Sequence, residues 1–369
     1  MGRSIGMIYF DANATEPVRP AALAAALVAL QTAGNPASVH TAGRAARHIL
    51  EDARERIAAR FAADPANLVF TSGGTEADAL AIHALGRGRR CIAGATEHDA
   101  VRAAAPGATV LPVDGDGIAD LDALRRLLAA GPPALVCLML ANNETGVIQP
   151  VAAAAALCRA ADALLHVDAV QAAGRIPVDL GALGADSLAL SGHKLGGPMG
   201  AGALLLGPRG AGLLAPLIAG GGQERGRRGG TPPLPAIAGF AAAAEEGVAD
   251  AGRLASLRNR IEQEAAAGGA VVIGAGAPRL ANTTCLALPG VRAETQVIAL
   301  DLAGVQVSAG AACSSGKVAR SHVLDAMGLG ALAGEAIRVS LPWSASEAEV
   351  AAFIGAYHAV AARLSRAAA

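Results

Sequence analysis

Seven short apolar runs punctuate the stretch up to Leu206: Leu68–Thr71, Cys91–Ala93, Thr109–Val113, Leu135–Leu140, Leu164–Val167, Ser187–Leu190 and Ala203–Leu206. None alternates polar with apolar residues. Between them lie stretches of helical character such as Thr75–Leu85, Leu121–Ala129 and Val151–Ala161. Strands without internal polar alternation, separated by helices, predict an α/β fold with a mostly parallel sheet, covered on both faces. Such sheets bind ligands at the carboxyl ends of their strands. Hydrophobic residues make up 53% of the chain but aromatics only 2%, so the core has to be built from Ala, Leu, Val and Ile.

The length of 369 residues points to two packed units rather than one. Gly220–Pro235, rich in Gly, Pro and Arg, reads as a loop. A long helix is expected from Ala236 to about Glu264, then a strand at Asn282–Leu288, a helix at Glu294–Leu302 and a final helix at Glu347–Arg363. The expected division is a large domain at 18–250 and a smaller α/β domain formed by 1–17 with 251–369.

Thirty Lys and Arg against 31 Asp and Glu give no electrostatic case for nucleic acid or an anionic membrane as partner. The five cysteines are odd in number and scattered, which fits neither a disulfide framework nor a zinc site, so no metal is expected. The N-terminus does not read as a signal peptide, and Ala134–Leu140 is too short to span a bilayer. A cytoplasmic, reducing setting is the simplest expectation.

Three segments carry chemistry. In Val69–Glu76 a strand runs into a Ser/Gly/Thr turn and a helix start, where free N–H groups and hydroxyls make a phosphate cradle. A purely structural strand–turn–helix connection fits the same residues. In Leu188–Pro198, Lys194 follows a buried strand directly. A lysine there can lose its proton and act as an amine nucleophile, and a surface lysine in a glycine loop is the plain alternative. In Leu165–Gln171, Asp168 ends an apolar strand. It needs a partner such as a cationic pyridinium nitrogen, or else it caps the next helix.

The segments TSGGTEADA, ATEHDAV, ANNETGVIQP, HVDAVQAAGR, SGHKLGGP, GGGQERGRRGGT and SAGAACSSG occur in this order. Together they resemble the cysteine desulfurases of the NifS/IscS-like type, in the class V aminotransferase group, from about Tyr9 to the end. The resemblance implies the fold type I architecture of pyridoxal-phosphate enzymes, related to aspartate aminotransferase. It also implies a homodimer with active sites near the subunit interface.

It assigns Lys194 as the Schiff-base lysine, Asp168 as the partner of the pyridine nitrogen, and His98 as the residue stacked on the ring and a proton shuttle. Gln171 and Asn143 would surround the ring hydroxyl, with Asn143 also facing the substrate. Gly74, Thr75, Ser191 and His193 would cradle the phosphate, and Thr231 would reach the phosphate of the neighbouring subunit. Arg338 would clamp the substrate carboxylate, a role suited to its planar fork; the structural alternatives are a core ion pair for Arg338 and a turn residue for Asn143. Cys313, in the small-residue stretch Ser308–Gly316, would take sulfur from L-cysteine as a persulfide and pass it to an acceptor or scaffold protein. Iron–sulfur cluster assembly is the default destination, with transfer-RNA thiolation as another.

The chain departs from the pattern in places. Asp11–Pro17 differs from the usual Thr-Thr-Pro ending, and Gly196 and Met199 stand where many relatives have Tyr and Lys. The sequence stops soon after the last helix, and Met7 is an alternative start. The rivals are a selenocysteine lyase or transaminase of the same fold, a partner that binds the cofactor without chemistry, and a nucleic-acid binder using Arg225, Arg227 and Arg228.

Overall fold

The computed structural model describes residues 7–131, 133–247, 250–310 and 320–368. Its larger sheet has seven strands, in the order Leu68–Thr71, Gly202–Leu206, Ser187–Ser191, Leu164–Asp168, Ala134–Cys137, Arg90–Gly94 and Thr109–Leu111. All neighbours pair in parallel except Gly202–Leu206, which runs antiparallel to both strands beside it. Four of the parallel strands are wholly or mostly buried, as expected of a sheet covered on both faces. The expected strands are all present, with ends shifted by up to three residues; Leu135–Leu140 shortens to Ala134–Cys137.

Close packing explains two of the glycines. A Cβ on Gly202 would lie 2.6 Å from the Gly73 backbone, and one on Gly74 would lie 2.6 Å from Val170 Cγ2. Only glycine lets the turn after Leu68–Thr71 settle against the neighbouring strands.

The second sheet is antiparallel, in the order Ser308–Ala309, Ala336–Ser340, Thr283–Ala287 and Val271–Ile273. It has its own core, in which Phe10 and Phe353 meet with ring centroids 5.6 Å apart. Phe61 and Phe240 fill the first core, among Ala, Leu, Val and Ile. The N-terminal segment joins the second unit: Ile8–Tyr9 pairs in parallel with Val305–Gln306, and Asp11 bridges Ser340.

The single helix expected from Ala236 to about Glu264 is instead two, Leu234–Glu246 and Ala251–Ala267. Gly247, in extended conformation, ends the first. The Ala-rich pattern continues on both sides of this break, which hid it. Cys313 lies outside the described residues.

Candidate active site

The carboxyl ends of the central strands open into a cavity of about 510 Å³. Its walls include Gly74, Thr75, His98, Asn143, Asp168, Gln171, Ser191, His193, Lys194 and Arg338. Ten residues from segments remote in sequence therefore share one space. Thr231 is not among them; it is exposed on its own chain.

Each group on the strand side is set by its own element. The helix Gly74–Leu85 begins at the cavity, and its first N–H groups have no acceptor within the helix. His98 caps the helix Asp99–Ala104: its Nδ1 accepts the Ala100 N–H at 3.1 Å, which leaves the proton of the neutral ring on Nε2. Glu97 beside it is fully buried, with Oε1 accepting the Met139 N–H at 2.7 Å.

Asp168 ends its strand and accepts the Val170 N–H at 2.8 Å. Burial, and then the nearby Asp78 carboxyl, push it up to about 7 against the pull of that N–H and of His98 and His166. Asp78 also lines the cavity. It meets buried His166 at 3.1 Å, whose other nitrogen is 2.8 Å from Ser187 Oγ.

Lys194 sits in a short helical turn after Ser187–Ser191 and donates to the Asn13 and Ala14 carbonyls, at 2.6 and 2.8 Å. Burial lowers it to about 7, helped by the Arg338 and Arg175 charges and opposed by Asp11 and Asp168. A large fraction of its amine is then neutral at physiological pH. His193 falls to about 4 for the same first reason, with Lys194 and Arg175 adding to it, so its ring is neutral. Gln171 donates from Nε2 to the Asn13 carbonyl at 3.0 Å, and its Oε1 accepts from Arg175.

The opposite wall comes from the second unit. Arg338 lies on the strand Ala336–Ser340, directly opposite Ser308. Its Nη2 donates to Asp11 Oδ1 at 2.7 Å and its Nη1 to the Asn143 carbonyl at 3.2 Å, while Nε is buried without an acceptor among the described residues. Asp11 Oδ2 accepts from Ser308 Oγ at 2.9 Å.

The profile of the class-V aminotransferase family matches residues 8–353. A cysteine desulfurase of Cereibacter sphaeroides is 44% identical over 93% of this chain and 92% of its own length. The chain belongs to the class-V aminotransferase family, among its cysteine desulfurases. This is a family of pyridoxal-phosphate enzymes. Its solved structures agree: the NifS-like protein of Rickettsia africae superposes with a TM-score of 0.89 at 32% identity, covering 96% of this chain and 99% of that one. A second, SspA in complex with cysteine, gives 0.79 at 29% identity over 91% and 99%.

Asp11, Asn13, Asp78 and Ser308 also line the cavity but were not singled out from the sequence as site residues. Asp78 had a local signal, since it falls one helical turn after Gly74 and Thr75 and so shares their face. Asp11 and Ser308 had none, because their contacts span the chain. Gly196 has φ +93°, and a Cβ there would lie 2.7 Å from Arg19 Cγ.

Proposed function

We propose that the protein converts L-cysteine to L-alanine with pyridoxal phosphate, holds the sulfur as a persulfide on Cys313 and passes it to an acceptor. The observation that carries this reading is one cavity in which a near-neutral lysine amine, a buried carboxyl and a helix start converge. Those are the partners that an aldehyde, a cationic ring nitrogen and a phosphate require. Gly74, Thr75, Ser191 and His193 would hold the phosphate, Asp168 the ring nitrogen, and Gln171 and Asn143 the ring hydroxyl.

When bound, the cofactor supplies an electron sink that acidifies the substrate Cα–H. The remaining work belongs to the chain. Lys194 would hold the cofactor through its amine and, once the substrate amine has freed it, would take the Cα proton as general base. Arg338, with Asn143, orients the substrate carboxylate. His98, its Nδ1 occupied by Ala100, moves protons through Nε2. The Cys313 thiolate attacks the substrate sulfur. An S–S bond forms as the Cβ–S bond breaks; the carbon keeps that electron pair and gains a proton, becoming the methyl of L-alanine. An acceptor thiol then removes the outer sulfur by exchange.

A homodimer fits the exposed apolar face of the helix Pro20–Gln31, where Leu23, Leu27, Val28 and Leu30 face solvent. In that dimer Thr231 reaches the neighbour's phosphate. The domains divide at 18–250 against 1–17 with 251–369. The acceptor serves iron–sulfur cluster assembly or another sulfur-delivery route. Among the described residues no helix is long and apolar enough to cross a membrane. A reducing cytoplasm suits the free thiols Cys91, Cys137, Cys158 and Cys285.

Product analysis tests this. Incubation with L-cysteine and a thiol reductant should yield equal amounts of L-alanine and sulfide, and Cys313→Ser should yield neither above background. Formation of a keto acid would make the protein a transaminase. Turnover of selenocysteine alone would make it a lyase of that substrate.

A further inference from the structure

We infer that Asp11 is a positioning residue for the substrate carboxylate, acting through Arg338. This rests on the reading of Arg338 as the group that binds that carboxylate.

Three backbone segments meet at this point. Arg338 is on the strand Ala336–Ser340, Ser308 is its cross-strand partner, and Asp11 bridges Ser340 at the end of the same strand. The Asp11 carboxylate takes Arg338 Nη2 with one oxygen at 2.7 Å and Ser308 Oγ with the other at 2.9 Å. Because Ser308 anchors the second oxygen, Asp11 is a fixed rest for the guanidinium. The turn after Asp11 is itself pinned: Tyr9 Oη lies 3.1 Å from the Asp11 carbonyl and 2.8 Å from that of Thr15, a shared donor for both. Among the described residues Arg338 keeps unused donors, and its Nε is buried without an acceptor.

A flexible arginine loses rotamer freedom when it grips a carboxylate. Asp11 makes Arg338 lose it during folding, before substrate arrives. Removing Asp11 has an opposite electrostatic effect, since it leaves Arg338 less neutralised and more attractive to anions. Arg338 is buried, so this attraction is only weakly screened and offsets part of the effect, and the loss of orientation outweighs it.

The test compares two amines that differ only in the carboxylate. Binding of L-alanine and of ethylamine to the cofactor-loaded enzyme is read from its visible absorbance, for wild type, Asp11→Ala, Asp11→Asn, Arg338→Ala and the double variant Asp11→Ala/Arg338→Ala. Asp11→Ala should weaken L-alanine about tenfold, the scale of one charged hydrogen bond, and shift ethylamine less than about twofold. Asp11→Asn, which keeps the acceptor oxygen, should fall between. In the Arg338→Ala background, removing Asp11 should change nothing further. Equal weakening of both amines, tighter L-alanine binding in Asp11→Ala, or an additive double variant would each overturn the inference. If Asp11→Ala does not fold, Asp11→Asn and Ser308→Ala carry the same comparison. A wild type that makes no L-alanine from L-cysteine would instead sink the desulfurase reading.

Discussion

The two walls of the cavity are built on different length scales. On the cofactor side, Asp168 and His98 are each fixed by an N–H two residues further along. On the substrate side, Arg338 is held by Asp11, 327 positions away, and by the Asn143 carbonyl, 195 positions away. The first wall is a product of strand ends and helix starts, rigid wherever this sheet forms. The second exists only once the N-terminal segment has docked on the second unit. Cofactor loading should therefore be separable from substrate capture.

Lys194→Ala is the largest break in that comparison. It should abolish the covalent cofactor absorbance and lower turnover by at least about a thousandfold. Unchanged absorbance would remove Lys194 from its role. Asp168→Ala comes next: cofactor affinity and turnover should both fall, turnover by about a hundredfold, while the KM for L-cysteine moves little. Arg338→Lys should do the reverse. The loaded enzyme keeps its absorbance and kcat falls less than the KM rises, with the KM up about tenfold because one ammonium cannot replace a planar fork. A change in kcat alone would put Arg338 on the wrong wall.

The last effect is one of pH. Lys194 is depressed to about 7, so its amine is protonated and unreactive below that pH and neutral above it. Asp168, raised to about 7, is ionised above it and ready for a cationic nitrogen. Both changes act in the same direction. Loading of the apoprotein, followed by absorbance, should slow as pH falls through 7, each of the two groups contributing up to about tenfold per unit. A rate independent of pH between 5 and 9 would contradict the assignment.

The same difference in scale decides how much could be read from the sequence. Leu68–Thr71 and Leu121–Ala129 appear with the limits that their apolar pattern suggests. His98, Asp168 and Lys194 fall in contiguous motifs at element ends, where local chemistry marks them. The strands Val271–Ile273 and Ser308–Ala309 are three and two residues long, too short to show a period. Asp11 and Ser308 acquire a role only through Arg338, and no local pattern encodes a contact across the whole chain.

The central claim is that sulfur from L-cysteine comes to rest on one thiol. Mass spectrometry of the loaded enzyme after brief mixing with L-cysteine, without reductant, tests it most directly. The Cys313 peptide should carry one additional sulfur that a reducing agent removes, and the peptides of Cys91, Cys137, Cys158 and Cys285 should carry none. L-Alanine formed while the Cys313 peptide stays unmodified would contradict the account.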